Sequence, residues 1–456
     1  MTGARPANSS AAAHGSARAQ VLAALAGAAA LEMIFQTMRR LGDLKAHVIE
    51  TIALGLGAGV VYLLTLYALE HTRQSRAAFW LVLAGALVFR LTLAPLEPTL
   101  STDLHRYRWD GAVQQAGYNP YITRPDDPRL KPLRSELGPG RWSSMPGPET
   151  PTIYPPLSEL LYRLTWRVLP GPAGFKLPML LADLLVVALL AFCFRTSGAR
   201  AYSLAIYAWN PLVVVEFAGS AHNDALALAG VVAAGMIIRR YGGVSTLLLA
   251  AAALVKAFPA VLVPLWLRRT RWRNALWAAA LAAACAWPYR GAWPHLRGLL
   301  EYYESRWQNY HASLYAVIAW FTGSREVAAG VGVGIVAGLS VWAAARRMEP
   351  LRAAYLLFGA ILMLAPNGYS WYFTWIVPLL CFFPNPAWLL LTVLQFLSYN
   401  VLIDFQVSGR WRFDPFLQGL TYGPFYALLL AQLLRQRWRP APVESWADQG
   451  SNTILP

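Results

Sequence analysis

Two carboxylates and three basic side chains are packed into Ser101 to Tyr121, STDLHRYRWDGAVQQAGYNPY, directly after the apolar run LVLAGALVFRLTLAPL. Ser101 or Thr102 suits a helix N-cap, and Asp103 then falls in the first turn, where the helix dipole favours negative charge. Gly117 supplies a stop, so the expected helix runs from Asp103 to Ala116. On it Asp103, Arg106, Tyr107 and Asp110 fall at i, i+3, i+4 and i+7, a single face. The chemistry available to such a face is proton abstraction by a carboxylate beside a guanidinium that holds a phosphate, with Arg108 as a second cation. A solvated juxtamembrane helix laced with ion pairs, each worth about 0.3 kcal/mol, fits the same spacing.

Four later segments carry groups of the same kind. Asn119 and Tyr121 form a YNPY turn, with Asn119 held extended before Pro120. In TIYPPLSELLYRLTWRVLPG, Tyr154 precedes a Pro pair that opens a helix. One stripe of that helix is Leu157, Leu160, Leu161, Leu164 and Val168, and the other is Glu159, Arg163 and Arg167. It is expected to lie at the interface and to wall a cavity, a tilted span being the alternative. His222, Asn223 and Asp224 follow an apolar hairpin; they read as a turn and helix cap, or as groups that position a hydroxyl or shuttle a proton. Trp371 and Tyr372 suit stacking on a sugar ring or a prenyl chain, and serve equally as interfacial aromatics. Glu301, Tyr302, Glu304, Arg306, Trp307, Asn309 and His311 form a further polar patch, a candidate acceptor surface. One His and scattered carboxylates make no metal set, so no cofactor is expected, and a divalent metal stays open.

These groups need a scaffold, and the composition says which. Of 456 residues, 57% are hydrophobic and 14% charged, in a pattern of long apolar blocks rather than short alternating strands. The net charge of +16 does not indicate nucleic acid, because much of it lies in Arg clusters between apolar blocks, the arrangement that fixes membrane orientation. Candidate spans are 48–70, 77–96, 174–195, 201–218, 225–240, 274–288, 327–345, 352–365, 371–384, 387–403 and 418–434, about twelve in all. Block 244–267 has Arg pairs at both ends and Lys256 and Pro259 at its centre, so it is expected to enter and turn back, or to break. The fold class expected is an all-α polytopic membrane protein with a large first external loop, 97–152, containing short interfacial helices. Residues 1–47 form a tail plus an interfacial helix, a marginal span or a signal-like segment; 48–434 the membrane domain; and 435–456 a cytoplasmic tail. Arg39, Arg40 and Lys45 compete with Arg73 and Arg76 for the cytoplasmic side. Cys193, Cys285 and Cys381 lie in apolar blocks as core thiols.

Taken in order, Asp103, Arg106, Tyr107, Trp109, Asp110 and Gly111, then Gly117, Asn119, Pro120 and Tyr121, then Tyr154-Pro155-Pro156, resemble the first external loop of polyprenol-phosphate-mannose-dependent glycosyltransferases of the GT-C superfamily, especially the α-mannosyltransferases of glycosyltransferase family 87. His222-Asn223-Asp224, Lys256-Ala257-Phe258-Pro259 and Trp371-Tyr372 extend the likeness, from about 80 to 385. The resemblance implies a GT-C fold and a multi-pass protein of the cell membrane with its active site on the extracytoplasmic side. It implies a polyprenyl-phosphate hexose donor, mannose foremost, and inverting transfer to a lipid, glycan or protein hydroxyl within the cell envelope. Asp103 matches the family's catalytic base. Arg106, Arg108 and Lys256 are the candidates for the donor phosphate. Tyr107, Asp110, Asn119, Tyr121, Tyr154, His222, Asn223, Asp224, Trp371 and Tyr372 are the candidates for binding substrate. His105, Arg108 and Ala112 depart from the pattern, so the phosphate partner is expected to differ from the family's usual one. A transporter or flippase of a lipid-linked glycan is the rival reading and an envelope scaffold a third, neither of which accounts for the carboxylate cluster.

Overall fold

The computed structural model describes residues 16–137, 145–198, 200–295, 298, 313–409 and 411–438. The patch from Glu301 to His311, the tail before residue 16 and the tail after 438 lie outside the described residues.

Long apolar runs with few charges form helices because, without water, only internal hydrogen bonds satisfy the backbone. Among the described residues there is no extended strand, and six helices are long and apolar enough to cross a membrane. They are α1 (Ala17–Leu41), α2 (Val48–Glu70), α3 (Arg76–Leu93), Pro172–Thr196, Arg325–Ala345 and Pro386–Ser408, and a pair bent by 44°, Ala201–Ala208 with Pro211–Gly219, makes a seventh. Asp224–Ile237, Gly242–Val255 and Pro350–Leu364 are apolar but shorter. This is a multi-pass membrane architecture. The first apolar segment is a full 25-residue helix packed on α2 and α3.

Small residues bring the helices together. A Cβ at Gly55 would stand 2.1 Å from the Phe396 ring and one at Gly59 would stand 2.0 Å from Val393, so α2 lies against the Pro386–Ser408 segment at backbone distance. Between the helices sits a sealed ion pair. Arg90 donates through Nε and Nη2 to the Asp183 carboxylate at 2.6 and 3.0 Å and through Nη1 to the Ala86 and Ala208 carbonyls at 3.1 and 2.7 Å. Tyr207 donates to Asp183 at 2.7 Å, and both charged side chains are 0% exposed.

Hydrogen bonds sort the loops by end. Gln20, early in α1, donates to the Leu69 carbonyl at 2.9 Å and accepts from the Ser75 amide at 2.7 Å, while Lys45 donates from its amide to Thr99 at 3.2 Å. Lys45 therefore lies at the end that carries the 97–152 segment, and Arg73 and Arg76 lie at the other. The block around Lys256 does turn back. Gly242–Val255 rises, the chain is extended at Lys256, and Phe258–Leu262 and Val263–Arg269 return, with Trp266 donating to Ser245 at 2.8 Å and Thr246 lying 3.4 Å from Thr270. Fourteen residues of helix rise about 21 Å, which carries Lys256 up to the loop end.

The helix α4 (Asp103–Gln115) forms where expected, with Thr102 at its N-cap position and Gly117 beyond it at φ 87°. The helix α5 (Pro156–Val168) follows the Tyr-Pro-Pro segment, but one expectation about it is corrected. Glu159 does not share a solvated stripe with Arg163 and Arg167; it is buried with Ser158 and Tyr162, while Leu164 and Val168 are 57% and 63% exposed. Glu159 turns in to find partners, while Arg163 and Arg167 stay exposed with Leu164 and Val168. Glu159 accepts from Thr152 at 2.7 Å and from Gln114 at 2.8 Å. Gly111 lets α4 seat on α5, since a Cβ there would lie 2.6 Å from the Tyr162 carbonyl.

Candidate active site

The start of α4, the turn before α5, the Lys256 tip and the aromatic segment after Asn367 surround a cavity of about 1140 Å³. That exceeds the usual small-molecule pocket of about 300–1,000 Å³, room for a sugar together with part of a chain. Asp103, Tyr121, Tyr154, Lys256, Trp371 and Tyr372 line it, beside Ser101, Thr102 and Lys45.

Asp103 is 21% exposed by its side chain and faces His222, with Oδ2 3.6 Å from Nδ1. On the far side of the imidazole, Nε2 lies 3.3 Å from Glu216 Oε2, and both His222 and Glu216 are 0% exposed. Glu216 is held in turn by Ser370 and Tyr399, which donate to Oε1 at 2.5 and 2.6 Å. The local backbone is built for this contact. Asn210 caps the short helix opened by Pro211, and the next turn, Val215–Gly219, is wound as a π-helix, a feature frequent at functional sites. Ala221 then takes φ 61°, a left-handed conformation costly to a residue with a Cβ. Trp371 stacks on the ring at 4.2 Å, and Tyr369 stacks on Trp371 at 4.5 Å.

Electrostatics follow from this sandwich. Burial alone would lower the His222 pKa, but the Asp103 and Glu216 carboxylates outweigh it and raise it to about 9, so the ring is an imidazolium at neutral pH. Burial opposes ionisation of Asp103 as well, yet His222, with Lys256 and Arg106 further off, holds that carboxyl below its ordinary range. Asp103 is thus an ionised acceptor of protons, pinned from one side and open to the cavity on the other.

A second layer fixes the first. Lys256 donates to Asp224 at 2.9 Å and to Asn223 at 3.2 Å, below the rings of Tyr154 and Tyr372. Trp375 donates to the other Asp224 oxygen at 2.6 Å and is stacked between Phe258 and Tyr372, with centroids 4.0 and 4.5 Å away. Asn223, fully buried, donates to Tyr162 at 2.8 Å and lies 3.3 Å from the Tyr107 hydroxyl. Tyr107 is stacked on Tyr162 at 4.7 Å. Tyr121 donates to the Tyr154 carbonyl at 2.5 Å, and Asn119 accepts from the Tyr121 amide and donates to the Tyr289 carbonyl. Asn119, Tyr107, Asn223 and Asp224 therefore shape the walls from behind.

The arginines are placed differently. Arg106 reaches both Asp110 oxygens at 3.0 and 3.1 Å and the Gly147 carbonyl at 3.1 Å, and Arg108 donates to the Pro170 carbonyl at 3.3 Å; neither is a lining residue. Burial, reinforced by the neighbouring Asp110, raises the Glu159 carboxyl well above the usual range behind the Arg106–Asp110 pair. Reading the sequence passed over Glu216, Ser370, Tyr399, Trp375 and Lys45. Glu216 had a visible signal, a lone carboxylate in VVVEFAG; the others are unremarkable in sequence. Among the described residues no group of three His, Cys, Asp or Glu side chains is placed to share a metal ion.

This geometry can be compared with known proteins. No solved structure matches the chain. The alpha-(1->6)-mannopyranosyltransferase A of Mycobacterium tuberculosis is 28% identical over 256 residues, 54% of this chain and 48% of the relative, so the match spans about half the relative's length. Residues 8–270, which carry α4, α5, His222, Glu216 and Lys256, match a family model described as the N-terminal domain of alpha-(1->6)-mannopyranosyltransferases. The chain belongs to this alpha-(1->6)-mannopyranosyltransferase family, MptA_B.

Proposed function

We propose that the protein is a membrane mannosyltransferase that moves a hexose, mannose foremost, from a polyprenyl-phosphate donor to an acceptor hydroxyl on the extracytoplasmic face. The observation that carries this reading is Asp103, ionised, held by His222 and exposed to a cavity large enough for sugar and chain. In the reaction Asp103 takes the proton of the acceptor hydroxyl as its oxygen attacks the anomeric carbon. The bond from that carbon to the phosphate oxygen breaks, and the electron pair leaves with the lipid phosphate. Because attack and departure occur on opposite faces, the configuration inverts. The relative's name specifies an alpha-(1->6) bond, which an inverting step produces from a β-linked donor and a 6-hydroxyl.

Trp371 and Tyr372, fixed by their stacks on His222, Tyr369 and Trp375, line the cavity and give its wall an aromatic surface against which a sugar or prenyl unit can pack. A GT-C arrangement of about twelve spans fits the short apolar helices completing crossings beside the long ones. The Arg73, Arg76, Arg195 and Arg200 cations share the end away from the cavity, as an extracytoplasmic site requires, with Gly198 standing beside Gln74.

The test is purified protein in lipid nanodiscs with radiolabelled polyprenyl-phosphate mannose and a lipid extract as acceptor. Label appearing in a new product, with release of polyprenyl phosphate, is the expected result. Donor crossing the bilayer of a proteoliposome without turnover would overturn the reading in favour of a flippase.

A further inference from the structure

The proposed donor carries a negative phosphate, and the cations first expected to hold it are already engaged. Arg106 is paired with Asp110 through Nε and is not a lining residue, Arg108 is bound to the Pro170 carbonyl, and Lys256 is ion-paired with Asp224 at 2.9 Å. The cavity wall nonetheless holds one more cation among the described residues, Lys45, in the turn between α1 and α2.

Lys45 is anchored by its backbone on three sides. Its amide donates to Asp43 at 2.9 Å and to Thr99 at 3.2 Å, and its carbonyl accepts from Gln406 at 2.9 Å. The Asp43 carboxylate also accepts from the Ala46 amide, so it serves the turn. The ammonium itself lies 5.2 Å from the centre of the Phe405 ring and forms no ion pair among the described residues. It shares the cavity wall with Thr99, Ser101, Thr102 and Asp103. A half-buried ammonium beside an aromatic face, with its main chain fixed and no ion pair among the described residues, is a prepared site for an anion.

We propose that Lys45 anchors the phosphate of the lipid-linked donor and of the lipid phosphate that leaves. This rests on the polyprenyl-phosphate reading above. A sugar–phosphate–lipid diester carries one negative charge, and the leaving phosphate gains a second as the bond breaks. A fixed ammonium therefore interacts more strongly with the departing group than with the bound donor, and so favours the transition state. The first helical hairpin thereby has a task, since its turn brings Lys45 to the wall of the cavity that Lys256 also lines.

The test uses the full-length protein in phosphatidylcholine nanodiscs, with farnesyl phosphate and farnesol as competing probes of binding, independent of turnover. Wild type is expected to prefer the phosphate, and Lys45→Met to lose that preference by about tenfold or more, the usual loss when a charged hydrogen-bond partner is removed, while farnesol binding is unchanged. Lys45→Arg should restore most of it. Retained preference in Lys45→Met with loss in Lys256→Met would overturn the assignment and leave the donor class intact. Equal weakening of both probes would reduce Lys45 to a structural role and overturn it too. Competition by added phosphatidylglycerol at levels matching the probe would mark a bulk-lipid headgroup site and overturn the donor assignment. If wild type itself showed no preference for the phosphate, the donor class would fall with it.

Discussion

Two of the protein's buried charge clusters have opposite designs. Arg90 and Asp183 sit between transmembrane helices with 0% exposure, and the five hydrogen bonds around them join three helices. At the cavity, Asp103, His222 and Glu216 alternate charge at 3.6 and 3.3 Å, and only Glu216 is well supplied with hydroxyl donors. The first cluster is closed on itself, so its charges do nothing but hold helices. The second leaves the Asp103 carboxylate 21% exposed on the cavity wall, beside an imidazolium that keeps it ionised. A charge that is fully satisfied stabilises or specifies the fold; a charge left partly unsatisfied is available to a substrate.

Breaking each cluster should therefore give different losses. Arg90→Ala leaves Asp183 buried without its partner and should cost about 3–5 kcal/mol, read as a large fall in thermal midpoint or in folded yield in detergent. The double change Arg90→Met with Asp183→Leu should recover much of that loss, since an apolar pair of similar volume avoids the desolvation of both ions. Gly111→Ala tests the placement of the second cluster. Its Cβ would meet the Tyr162 carbonyl at 2.6 Å, and the α4–α5 contact should lose about 1–3 kcal/mol, with transfer activity falling further than the thermal midpoint suggests.

Glu216→Gln sharpens the comparison through pH. The His222 pKa is raised to about 9 from 6.5, so the stabilisation from its charge pairs is complete at pH below 6.5 and is lost as pH rises through about 9. Activity that needs the imidazolium should decline over the same upper window. Removing the Glu216 charge should bring that alkaline limb down by about one unit or more, and a profile of kcat against pH checks it. Asp103 has the opposite sign: its lowered pKa gives a contribution present at neutral pH and lost as pH falls through the folded value. Ala221→Gly carries the smallest effect. Relief of φ 61° against loss of a buried methyl should leave stability within about 1 kcal/mol of wild type and activity intact, as urea or thermal titration with a parallel transfer assay would report.

Much of this arrangement was legible in the sequence where local rules dominate. The helix starting at Asp103, the Gly117 stop, the Tyr-Pro-Pro entry to α5 and the reversal at Lys256 follow from caps, prolines and charge at block ends. The burial of Glu159 was not legible, because it shares its stripe with Arg163 and Arg167, which stay exposed, and only its packing against Thr152 and Gln114 sets it apart. Arg106 belongs to the same face as Asp103 by spacing, yet its guanidinium goes to Asp110, four residues on, rather than to the cavity. Sequence spacing shows which residues are neighbours but not which of two carboxylates wins a cation. Glu216 and Lys45 escaped for a different reason. Their partners, Tyr399 for one and Gln406 for the other, are 183 and 361 residues away, and no local pattern encodes such pairings.

The most direct measurement is single-turnover transfer by purified Asp103→Asn, with thermal stability recorded on the same preparation. The replacement is isosteric and the site 21% exposed, so the thermal midpoint should fall only by the contribution of the pairing with His222 while the rate falls by about 10²–10⁴, the share a positioned base contributes. A folded Asp103→Asn protein with wild-type transfer would contradict the assignment of Asp103 as the base.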